Sequence, residues 1–179
     1  MVFVLSAVAQ TVTTAQFKGI AHVGGATRDI SIRFSCAMDG AKINNLAIQL
    51  ELPEVTNIMP TFDFDAFEGP TGMGGRHRLV ASAGTAHAQM DFAATGSYGN
   101  DRSPVTTFTF SAAMTPDART KANLQKLRAI VGTLSGGAGH LAYTISNPSY
   151  GGPSLEATVD LSDGGAAKLK SAMSDCIRP

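Results

Sequence analysis

The sequence predicts an α+β protein that is mainly β: an antiparallel sheet or β-sandwich with two helices, at about 116–135 and 165–176. Three observations predict it. Runs that alternate polar and apolar residues dominate the chain as far as Met114, and alternation is the period of a half-buried strand. Two later segments instead space their apolar residues at helical intervals. The order is a long β run, a helix, two strands and a helix, without the strand–helix alternation of a parallel nucleotide-binding sheet.

Thr11–Ala21 carries Val12, Phe17 and Ile20 among threonines. Asp29–Cys36 alternates strictly, with Ile30, Ile32, Phe34 and Cys36 on one face. Asp39-Gly40 supplies a turn, and Ile43–Leu52 resumes with Leu46, Ile48, Leu50 and Leu52 aligned. Pro53 ends that run, because proline has no N–H to give a ladder. Thr61–Phe67 predicts a further strand, with Phe62, Phe64 and Ala66 opposite Asp63 and Asp65. Gly69–Gly75 predicts a mobile loop. His77–Ala83 and Thr85–Ala94 predict a hairpin around Gly84. In Val105–Met114, Phe108, Phe110 and Ala112 alternate with threonines and Ser111. His140–Ile145 and Leu155–Leu161 complete the strands.

The first helix is predicted to open at Thr115-Pro116-Asp117: a threonine cap, proline at the first helical position and an acid in the first turn. Leu124, Leu127, Val131 and Leu134 then share a face, and Gly136-Gly137 stops the helix. The second opens after Ser162-Asp163. Leu169, Ala172, Met173 and Cys176 make its apolar face, so the cysteine points to the core.

A chain of 179 residues suits one domain, read here as 11–179. It can bury about 70% of its unfolded surface, so it needs neither a metal nor a disulfide merely to fold, and no cofactor is predicted. Fourteen Lys+Arg balance fourteen Asp+Glu, which leaves no basic excess to release counterions and excludes a nucleic-acid partner. Only 16% of residues are charged, amid abundant Gly, Ala, Ser and Thr, a composition associated with secreted and envelope β proteins. Residues 1–10, MVFVLSAVAQ, read two ways. Val2–Ala9 is an apolar run closing on Ala7-Val8-Ala9, as in the remnant of an export signal, although no Lys or Arg precedes Lys18. Equally, Phe3, Leu5 and Val8 could pack as a first strand. The run is too short to span a bilayer, so the chain is not predicted to cross a membrane.

The two cysteines, Cys36 and Cys176, lack the close spacing of a zinc or redox pair. They predict a disulfide that staples the last helix to the sheet, worth about 4–5 kcal/mol by chain entropy. The alternative is two buried thiols in a reducing compartment. Chemistry-bearing motifs are sparse. Asp63, Asp65 and Glu68 could offer oxygen ligands to calcium, but no EF-hand pattern completes a shell, and a solvated strand face explains them as well. Met73 with His77, and His87 with Met90, bring copper-type ligands near one another along the chain, but the spacing is poor, since strand residues three apart face opposite sides. No metal is therefore assigned. Arg76, His77 and Arg78 follow a Gly-rich stretch without the lysine of a phosphate loop, and could still meet an anion. Tyr98 and Tyr150 stand in Gly-rich loops suited to contact. No nucleophile elbow occurs.

The ending Ala157–Cys176, ATVDLSDGGAAKLKSAMSDC, resembles the tail of small periplasmic proteobacterial proteins of uncharacterised exported families: a strand, then a short helix closed by a cysteine. The resemblance implies a periplasmic or secreted location, a β-rich fold and a disulfide-tied helix, and carries no functional residues with it. The function expected is therefore an exported or cell-envelope binding or accessory domain, non-enzymatic, touching a protein or small ligand through the loops Gly69–Gly75, Gly96–Ser103 and Ser146–Ser154. The alternatives are a hydrolase whose site is assembled from distant residues, and a self-associating subunit of a surface assembly.

Overall fold

The structure is a computed structural model that describes residues 10–68, 76–100, 103–148 and 151–178. Nine strands form one antiparallel sheet: β1 (Gln10–Val23), β2 (Ala26–Asp39), β3 (Lys42–Leu52), β4 (His77–Ala83), β5 (Ala86–Phe92), β6 (Thr95–Asn100), β7 (Ser103–Met114), β8 (Gly139–Ile145) and β9 (Leu155–Leu161). Their order across the sheet is β5-β4-β8-β9-β1-β2-β3-β7-β6. Two helices, α1 (Lys121–Leu134) and α2 (Asp163–Ile177), complete the α+β fold. Of the two predicted architectures, the chain adopts the single sheet, and the sheet is curled.

The hairpin β1–β2–β3 is its spine. Gly24 and Gly25 both take positive φ (55° and 82°), which a two-residue turn between twisted strands requires. All fourteen residues of β1 then pair with β2. The alternation read from the sequence sets the faces: Ile30, Ile32, Phe34 and Cys36 on β2, and Leu46, Ile48, Leu50 and Leu52 on β3, are all buried on the concave side.

Curling follows from the chain path. The sheet's two outermost strands, β5 and β6, are joined by Ala93-Ala94 alone, so the edges must approach each other at that corner. His77 on β4 and Phe110 on β7, each one strand in from an opposite edge, have rings 5.8 Å apart. The concave side is filled rather than hollow there. α1 lays Leu124, Leu127, Ile130, Val131 and Leu134 mainly against β5 and β4, and α2 lays Leu169, Met173 and Cys176 against β2 and β1.

Cys36 and Cys176 are bonded, with Cα atoms 5.8 Å apart, which fixes the end of α2 to β2 as the sequence predicts. Arg128 on α1 donates to the Cys176 carbonyl at 2.7 Å and satisfies a C-terminal acceptor of α2. Ser162 caps the other end of α2, accepting from the Gly165 amide at 3.2 Å.

Two predicted elements are corrected. α1 starts at Lys121, not at Pro116. The Asp117 carboxylate accepts the amides of Arg119 (2.8 Å) and Thr120 (3.2 Å) and the Thr115 hydroxyl, so Thr115–Thr120 closes into a turn of its own before the helix. Those donors hold the Asp117 carboxyl below its ordinary range, the Thr115 hydroxyl foremost. Thr61–Phe67 is not a strand, for a reason that belongs to the site below. Residues 1–9 lie outside the described residues, so neither reading of the N-terminal run is tested, and Gly69–Gly75 lies outside them too.

Candidate binding rim

One end of the curled sheet gathers the β1–β2 turn, the excursion that leaves β3 at Pro53, and the β8–β9 connection. After Pro53, Glu54 takes a left-handed φ of 55° and turns the chain across the open concave face, with Arg28 3.9 Å from its carboxylate. Two short 3₁₀ turns follow, Val55–Asn57 and Asp65–Phe67. Phe62, Phe64 and Phe67 drop into the mouth of the sheet and are fully buried. Phe64 meets Phe108 at 5.0 Å, and Phe67 meets Phe110 edge-on at 5.1 Å.

This corrects the strand predicted for Thr61–Phe67. Phe62 and Phe64 are two apart, as on a strand, but the third buried residue is Phe67 and not Ala66. The Asp63 carboxylate accepts the Ala66 amide at 3.2 Å and bends the chain between them. Asp63 and Asp65 therefore do not share a strand face. Asp65 and Glu68 are exposed at the rim and Asp63 is half-buried. Among the described residues, no cluster of three or more His, Cys, Asp or Glu side chains could hold a metal ion.

Tyr98, predicted in a loop, stands on the edge strand β6 and donates its hydroxyl to Asp65 at 2.7 Å. Burial, and then the bond and negative charge of Asp65, raise the Tyr98 pKa above its ordinary value, so the phenol stays a donor. Gly-rich β6 carries little apolar alternation, which is why its strand character is invisible in sequence. On the opposite flank, the Asn147 side chain donates to the Thr61 carbonyl at 3.0 Å. Gly24 allows the β1–β2 turn to touch Thr61, where a Cβ would collide. Three segments distant in sequence are thus pinned around Thr61, and Met59, Asp63, Asn147 and Gly152 line a shallow groove. Tyr150 lies outside the described residues.

The Arg76–His77–Arg78 cluster divides. Arg78 points outward and pairs with Asp91 at 3.2 Å, beside an outer-face depression shared with Arg76 and Thr144. His77 points the other way and is completely buried, a correction to its reading as an anion-binding loop residue. It opens β4, and alternation sends it inward among Phe67, Phe92, Phe110 and Tyr143. Burial lowers its pKa to about 4, so the ring is neutral at physiological pH. Of the copper-type pair on β5, Met90 is core and His87 is exposed.

A polar row crosses the outer face. Ser82, His140 and Asp160 are direct cross-strand neighbours on β4, β8 and β9. His140 Nδ1 lies 2.7 Å from an Asp160 oxygen, the relation of a triad base to its orienting acid. His140 itself stands on β8, which is paired with β4 on one side and β9 on the other.

The chain is an α+β protein whose curled nine-stranded sheet is bolted to its last helix by a disulfide. No family model, curated protein or solved structure matches it.

Proposed function

We propose that the chain is an exported binding or accessory domain, non-enzymatic, that engages a partner through the rim around Thr61. The observation that carries the reading is the pinning of the excursion after β3 to two remote segments at one end of the sheet, by Asn147 to Thr61 and by Tyr98 to Asp65. A surface held this way keeps its shape before a partner arrives, so little ordering entropy is lost on contact. Glu54, Asp65 and Glu68 are exposed there, so the surface suits a cationic face on a protein or small ligand. The buried disulfide supports export to an oxidising compartment, and no helix among the described residues is long and apolar enough to cross a membrane.

The test is binding of basic and acidic peptide arrays to the oxidised protein, repeated with Asp65→Asn and Glu68→Gln together. Capture of basic peptides that fades in the double variant, at unchanged melting temperature, supports the rim. Equal capture by both proteins removes it.

A second reading, a serine hydrolase, rests on the row Ser82–His140–Asp160. A fluorophosphonate probe would label Ser82, with the label lost in His140→Ala, if that row is active. An unlabelled Ser82 removes this reading.

A further inference from the structure

We propose that two copies of this chain pair antiparallel along the free edge of β1, across a two-fold axis at Thr14. The proposal is independent of the rim.

β1 lies inside the sheet, yet its two sides are unequally used. All its residues pair with β2, but only Ile20, Ala21 and His22 pair with β9. Gly19 is the point of divergence: it is packed so closely on Thr158 that a Cβ would collide with the carbonyl oxygen. Beyond it the start of α2 enters the gap, where a methyl at Gly165 would stand 3.7 Å from the Phe17 ring. Among the described residues, Gln10–Lys18 has no strand on its β9 side.

The phase of this edge is fixed by one contact. Lys168 donates to the Gln16 carbonyl at 3.5 Å from the open side. Backbone groups of a strand alternate in direction, so Val12, Thr14, Gln16 and Lys18 all turn N–H and C=O outward. Such a row is a template for another strand, and proteins guard it with charge, proline or a bulge. Gln10–Phe17 has no charge, no proline and no bulge against β2. Lys168 guards only the Gln16 end.

The occupant is a second copy because the edge complements itself. With Thr14 opposite Thr14, Val12 (57% exposed) meets Gln16, and Lys18 meets Gln10, so no like charges face each other. The chain's zero net charge does not oppose the approach. An edge without charge offers nothing to select an acidic or basic peptide. The sheet's terminal strands are poorer templates, with β5 and β6 seven and six residues long.

The experiment is sedimentation of the oxidised full chain over a wide concentration range, with amide exchange on the same samples. A reversible dimer is expected, with the amides of Val12, Thr14 and Gln16 protected only as it forms. Thr14→Pro removes an outward N–H and no β1–β2 bond, so it should weaken the dimer about tenfold or more with the disulfide and melting temperature kept. Lys168→Ala should tighten it. If Thr14→Pro does not fold, Thr14→Lys sets two like charges together at the axis and should give monomer. A wild-type monomer at every concentration overturns the proposal, whether those amides exchange fast or are protected by another segment of the same chain. So does a dimer that Thr14→Pro and Thr14→Lys leave unchanged.

Discussion

The Tyr143 hydroxyl and His77 Nδ1 are hydrogen-bonded at 2.9 Å in a fully buried, aromatic setting, while His77 Nε2 has no partner among the described residues. A neutral imidazole tolerates this site, and an imidazolium would be a buried charge without a counterion. The phenol cannot supply one, since burial pushes the Tyr143 pKa up.

Stability should therefore fall in mild acid. The folded-state pKa of His77, about 4, lies below the unfolded value near 6.5. Between these pH values the unfolded chain takes up a proton that the folded chain refuses. The His77 contribution is whole above pH 6.5, declines as pH falls to 4, and changes no further below that, for a loss of about 3 kcal/mol. Denaturant midpoints measured across this range should show the decline. In His77→Phe the decline should be smaller, and an equal slope in both proteins would refute the assignment.

Reduction should loosen α2 first. The disulfide closes a sequence separation of 140 residues, which corresponds to about 5 kcal/mol as an upper figure from chain entropy. Cys176→Ala should lower the denaturant midpoint, with amide protection lost in α2 before the β1–β3 spine. Uniform loss throughout the chain would show that the bond stabilises the whole rather than the helix.

Phe62→Ala should cost about 3–5 kcal/mol, as a fully buried phenylalanine does when truncated. On a surface loop the same change would be nearly silent. Equilibrium unfolding of the variant decides between the two, and a loss below about 1 kcal/mol would mean that the excursion does not plug the sheet.

Ser162→Ala should cost about 1 kcal/mol, the usual value of one helix cap. Ser162→Asp should restore most of it by accepting the same amide, as thermal melts of the two variants can show.

Sequence and structure agree where one period governs a segment. Ile30, Ile32 and Phe34, or Leu124, Leu127 and Val131, declare both their element and its buried face, because the pattern repeats long enough to be unambiguous. Thr61–Phe67 is too short for that: two phenylalanines at strand spacing also fit a looped plug, and the choice depends on the open face of β7 that receives them. The cysteine pair was legible by count alone. His77 was not, since Arg76 and Arg78 make its surroundings look polar, whereas alternation on β4 puts it on the opposite face from them. Tyr98 and Asn147 act through partners more than thirty residues away, a distance over which local patterning carries no signal.

The disulfide also makes maturation self-checking. The cysteines are 140 residues apart in sequence, and two cysteines in these 179 residues allow a single internal pairing. Within these residues Cys36 has no partner until Cys176 has been made, so oxidation between them cannot precede synthesis of the nine strands. It also requires α2 to have docked on β2. Closure of this one bond therefore reports that all nine strands have been made and that α2 has docked, and thiol exposure alone distinguishes copies that have reached this state from those that have not.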